Sequence, residues 1–122
     1  MKRIIFLAIL GALMLQGCKT TGSTEAAKPL EMDPKKLFSS SAKGMGNCSA
    51  CHAIPADAKL VAGDIGPPII GMKARFKTID DLKAAIADQK KFAPDTIMPP
   101  FGRAKILTPE QIDVIAQYIY QY

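Results

Sequence analysis

The sequence predicts an all-α domain of about three to five helices gathered round a single centre. Helix-start signals precede each run of helical periodicity, and no run alternates apolar and polar residues as a sheet requires. Two stretches rich in Pro and Gly separate the helical runs.

Asp33-Pro34 places an N-cap before a proline at the first helical position. A first helix is therefore expected from Pro34 to about Lys43, with Leu37 and Phe38 facing inward. Gly44 and Gly46 break it. Thr78 can cap a second helix from Ile79 to Ala87, in which Ile79, Leu82 and Ile86 share one face. Thr108-Pro109-Glu110-Gln111 combines an N-cap, a proline at N1 and a glutamine at N3, the pattern of a capping box. Ile112, Ile115, Ala116 and Ile119 then trace one apolar stripe to the C-terminus. The irregular stretches are Gly63 to Gly71 and Pro94 to Gly102, where proline removes backbone donors and fixes φ. Two stiff loops in a chain of 122 residues make sense if they wrap a flat cofactor.

Cys48-Ser49-Ala50-Cys51-His52 identifies that cofactor. C-x-x-C-H is the attachment signature of a c-type haem, in which both thiols form thioethers and the histidine binds the iron. One covalent haem is expected on Cys48 and Cys51, with His52, the chain's only histidine, as an axial metal ligand. A thioredoxin-like site would need a βαβ context, and a structural zinc site a second Cys/His pair. A plain Cys48–Cys51 disulfide remains the alternative for an exported chain.

Export is read from the first 17 residues, a signal peptide. Lys2 and Arg3 precede an apolar run, Ile4 to Leu15, too short to span a bilayer as a helix. Leu15-Gln16-Gly17-Cys18 resembles a bacterial lipobox, so Cys18 is expected to carry a lipid anchor; simple cleavage and soluble release is the alternative. Either way the expected location is the periplasm, tethered to the membrane if lipidated. Residues 18–31 read as a flexible tether and residues 32–122 as the one folded domain. Loss of Lys2 and Arg3 takes the net charge from +5 to +3. No basic run is interleaved with aromatics, so nucleic acid is not an expected partner.

With no second histidine, the other axial ligand is sought among the methionines. Met98 lies 46 residues after His52 in the second Pro-rich loop, with enough chain to round the haem edge. Met98 is therefore expected as the sixth ligand, with Met72 as runner-up; core filling is the ordinary fate of a methionine. His/Met ligation raises the reduction potential relative to stronger donors. The Pro67 carbonyl is expected to accept the hydrogen bond of the His52 Nδ1–H, since ligating imidazoles usually donate their second N–H. The alternative is that Gly66-Pro67-Pro68 is only a turn. Two protein ligands leave no open site on the iron, which points to one-electron transfer. No catalytic Ser/His/Asp set, carboxylate pair or phosphate loop is visible.

Gly46-Asn47-Cys48-Ser49-Ala50-Cys51-His52, Gly63-Asp64-Ile65-Gly66-Pro67-Pro68, Thr96-Ile97-Met98-Pro99-Pro100-Phe101-Gly102 and Ile106-Leu107-Thr108 together resemble the SoxX family over about residues 44 to 120. SoxX is the monohaem class I cytochrome c-like subunit of the SoxAX complex of sulfur-oxidising bacteria. The resemblance implies that the partner SoxA subunit holds the catalytic haem. The complex joins thiosulfate oxidatively to a cysteine of the SoxYZ carrier, an L-cysteine S-thiosulfotransferase activity. It further implies that this chain accepts electrons from a SoxA-like c-type cytochrome and passes them to a small soluble cytochrome. Cys48 and Cys51 would then be the thioether residues and His52 and Met98 the axial ligands, with no bond-making residue here. SoxX is expected to be soluble in the periplasm; the lipobox at Cys18 departs from that. A free-standing tethered cytochrome c feeding a terminal oxidase is the competing expectation, and a haem-free, disulfide-bonded export domain a third.

Overall fold

A computed structural model describes residues 32–122. The signal peptide, Cys18 and the tether lie outside the described residues. The described chain is all-α, with helices α1 (Pro34–Ser39), α2 (Met72–Arg75), α3 (Ile79–Ala87) and α4 (Pro109–Tyr120). Single 3₁₀ turns cover Cys48–Ala50 and Gln89–Lys91, and no strand occurs among the described residues.

Side chains start three of the four helices. The Asp33 carboxylate accepts from the Lys35 and Lys36 N–H groups at 2.9 and 3.2 Å, with Pro34 behind it. Thr78 and Asp81 form a reciprocal box, and α3 runs over the expected residues. Thr108 and Gln111 form the box foreseen for α4.

The first helix stops at Ser39, short of the expected Lys43. Serine competes for backbone partners here. Ser40 is extended, and its hydroxyl accepts the Ala42 N–H at 3.2 Å. The chain then doubles back, so that the Gly46 N–H reaches the Leu37 carbonyl at 2.9 Å. The single-turn α2 was not expected at all; four residues are too few to show a periodicity.

Helix α4 is the spine, and α1, α2 and α3 all pack on it. Its stripe is buried as expected, and Ala116 is fully enclosed. Leu37 and Phe38 from α1 are each 1% exposed, and Phe38 meets the Tyr118 ring edge-on at 6.0 Å. Leu82 and Ile86 close the core from α3. Each such side chain contributes about 1.5–3 kcal/mol through burial.

Gln111 is buried and does a second job. Its Nε2 donates to the Gly44 carbonyl at 3.0 Å, joining the start of α4 to the loop that leads into the cysteine motif. Gln111→Ala leaves that carbonyl and the Thr108 N–H without protein partners. The expected loss is about 2 kcal/mol in denaturant unfolding of the holoprotein. The exposed Gln117→Ala serves as control and should stay within about 0.5 kcal/mol of wild type.

Candidate functional site

The cysteine motif is held by backbone, one residue in two. Asn47 adopts the left-handed conformation (φ 47°), which suits Asn better than most residues, and starts the 3₁₀ turn Cys48–Ala50. The first Pro-rich loop then lies along the motif. The carbonyls of Ser49, Cys51 and Ala53 accept from the N–H groups of Gly63, Gly66 and Ile69 at 2.8, 2.8 and 2.7 Å.

Two of those donors have to be glycine. A Cβ at Gly63 would lie 2.2 Å from the Ala50 carbonyl oxygen. A Cβ at Gly66 would lie 2.5 Å from His52 Cε1 and 2.7 Å from its Nδ1. The imidazole thus rests directly on the Gly66 backbone. From there His52 Nδ1 meets the Pro67 carbonyl at 2.7 Å. A carbonyl only accepts, so Nδ1 carries the proton and Nε2 keeps its lone pair. That is the tautomer a metal-binding histidine requires.

The neighbouring carbonyl is engaged as well. Arg75, at the end of α2, donates to Pro68 O at 3.0 Å, and the same nitrogen lies 3.6 Å from the Met72 sulfur. Arg75 braces the loop that holds His52, and sequence reasoning missed it.

These residues border one cavity of about 310 Å³, within the range of cofactor sites. Cys48, Cys51, His52, Pro67 and Met98 all line it. The rest of its wall is mostly apolar: Phe38, Ile69, Leu82, Ile86, Phe101, Ile115 and Ile119 from the core, with Arg75, Gln89 and Thr96 among the few polar groups. Met98 is presented by a tight turn, its N–H donating to the Thr96 hydroxyl at 3.2 Å. Met72 lines the same cavity from the first turn of α2, but it is 2% exposed within the core cluster.

Cys48 and Cys51 are not joined to each other. Burial pushes the Cys48 thiol up to about 12, with the nearby Cys51 adding to the rise. A thiol held protonated is the opposite of the low-pKa cysteine a thioredoxin-like site needs. Among the described residues no three His, Cys, Asp or Glu side chains cluster to hold a metal ion by themselves.

The site therefore fits a covalent haem on its own geometry. One loop supplies two thiols and a correctly protonated imidazole. The cavity is apolar and the size of a cofactor, and a thioether reaches it from a separate loop. A family model described as "Cytochrome C oxidase, cbb3-type, subunit III" matches residues 30–119. No curated protein matches the chain.

Proposed function

The chain belongs to the family of cbb3-type cytochrome c oxidase subunit III, whose cytochrome c domains carry covalent haem c and transfer electrons, and from that premise we propose that it is a one-electron relay carrying a single haem c with His52 and Met98 as axial ligands. The observation that carries this reading is the His52 seat, with Nδ1 spent on Pro67 O, Nε2 free, and Met98 lining the same cavity.

The bound haem supplies the one-electron couple; the residues fix its setting. Pro67 holds the imidazole proton at Nδ1. Gly66 lets the ring lie flat on the loop. The apolar wall would limit water at a bound haem and so favour its reduced, less charged state. With His52 and Met98 both ligating, no position would remain for substrate, and any bond-making chemistry would belong to a partner.

We place the relay in a SoxAX-like complex. It would take electrons from a SoxA-like subunit as thiosulfate is joined to a SoxYZ-like carrier cysteine, and pass them to a small cytochrome. The support is the joint presence of Gly63-Asp64-Ile65-Gly66-Pro67-Pro68 and Met98-Pro99-Pro100-Phe101-Gly102, the two segments that border the haem cavity. The family description favours a second reading, a tethered carrier that feeds a terminal oxidase. Affinity purification from the native host separates them. A stable complex with a second c-type cytochrome, active with thiosulfate, is the expected result; a monomer that only reduces an oxidase would sink the SoxAX assignment.

Cys18 is proposed to carry the lipid that holds the domain at the membrane. Cys18→Ala should move the protein from the membrane pellet to the periplasmic soluble fraction. Unchanged membrane association would refute the anchor.

A further inference from the structure

We propose that Asp88 and Arg103 form a latch that positions the Met98 loop, and so sets how readily the sixth ligand is displaced. The inference rests on the reading of Met98 as that ligand.

From Ala93 to Leu107 the chain has no regular element. Most of its hydrogen bonds are internal turns, such as Thr96 N–H to Ala93 O, Phe101 N–H to Pro99 O and Ala104 N–H to Pro100 O. Among the described residues, the polar links from this stretch to the body all end on Ala87, Asp88 or Gln89, at and just beyond the C-terminal end of α3. Gly102 and Arg103 donate their N–H groups to the Ala87 carbonyl at 3.0 and 3.3 Å, and Arg103 Nε donates to Asp88 Oδ2 at 2.8 Å.

Asp88 is an awkward residue for this place. It caps the C-terminal end of α3, where the helix carbonyls disfavour negative charge. It is 6% exposed, and its Oδ1 is buried with no hydrogen-bond partner. Among the described residues, the guanidinium of Arg103 is the one cation paired with it. Without Arg103 the carboxylate would be buried and uncompensated, and the nearest relief is to let water in. Water reaches Asp88 when Gly102 and Arg103 lift from Ala87, and that movement carries Met98 away from the cavity. The pair therefore acts on opening of the loop more than on the core packed round α4.

Imidazole titration of the oxidised, full-length holoprotein tests this, followed by loss of the long-wavelength methionine-to-iron charge-transfer band. Arg103→Leu should lower the half-saturating imidazole concentration about tenfold, a value reduced from the usual cost of a broken buried pair because the arginine is half in solvent. Arg103→Lys keeps the charge and should stay within about threefold. Lys83→Ala removes two ion pairs, one to Asp80 within α3 and one to Asp113 of α4, and should leave the midpoint at the wild-type value. Hydrogen exchange at the Gly102 and Arg103 amides should quicken in Arg103→Leu by a factor like that of the midpoint. If Arg103→Leu fails to load haem, Asp88→Asn reads the same loop: it breaks the ion pair without leaving a buried charge, so exchange at those two amides should quicken, by less than about tenfold. An Arg103→Leu midpoint within twofold of wild type, or Asp88→Asn amides that exchange at the wild-type rate, overturns the latch. Met98→Ala separates the two claims. A band that survives there removes Met98 as ligand and the latch with it; a band lost there, with an unmoved Arg103→Leu midpoint, removes the latch alone.

Discussion

Met98→Ala is expected to abolish the methionine-to-iron charge-transfer band and to lower the reduction potential by on the order of 0.1–0.3 V, a sizeable part of the roughly 0.8 V that axial ligands span among haem proteins. The thioether is a weak donor that favours ferrous iron. Without it, water or an added imidazole would hold the iron, harder donors that favour the ferric state. The protein should still load haem, because Cys48, Cys51 and His52 sit on a different loop, held by Gly63, Gly66 and Ile69. Met72 lines the same cavity and is the obvious rival. It is tied into the core within reach of Arg75, so Met72→Leu should keep the band and cost less than about 1.5 kcal/mol of stability. Potentiometric titration with near-infrared absorbance checks both variants. Loss of the band in Met72→Leu and its survival in Met98→Ala would reverse the assignment.

Gly66→Ala is expected to be the most damaging single methyl in the site. The new Cβ would stand 2.5 Å from His52 Cε1 and 2.7 Å from Nδ1. The imidazole cannot yield without breaking its bond to Pro67 O or leaving the position from which Nε2 serves the iron. The loop cannot yield without breaking the Gly66 N–H bond to Cys51 O. Either way the cost is on the order of 3 kcal/mol, combining overpacking with a lost hydrogen bond to a ligating histidine. The measurable outcome is a low yield of haem-loaded protein. A substitution to Ala at Gly71 makes the comparison, since no atom lies within 4 Å of a Cβ there. Its positive φ of 60° costs about 1 kcal/mol, without touching the histidine. Equal effects at Gly66 and Gly71 would show that backbone strain, not the His52 seat, is what matters.

The parts of this site that were legible in the sequence are those that short-range chemistry dictates. Thr78 and Thr108 mark helix starts because a capping side chain lies within three residues of the N–H groups it satisfies. Cys48, Cys51 and His52 are readable because one short loop has to carry all three functions. Where readings failed, a distant or subtle competitor decided the outcome. Ser40 ended α1 by bonding the Ala42 N–H, a choice that a helical pattern of apolar residues does not reveal. The single turn of α2 exists because of what it joins: Arg75 to Pro68 O, and the Gly71 N–H to the Tyr122 carbonyl at 2.6 Å. Gly63 and Gly66 carried a readable signal in their spacing, but their reason lies in the motif some fifteen residues earlier. The bond between Gln111 and Gly44 spans 67 residues, and local pattern cannot show it.

A single covalent haem c seated on His52 is checked by a pyridine haemochrome spectrum of the purified protein, with acid–acetone extraction alongside. The expected spectrum is that of a haem whose vinyl groups are both saturated, one per chain, with the colour staying in the protein after extraction. Haem that leaves with the solvent, or a protein with no haem at all and a Cys48–Cys51 disulfide, would contradict it.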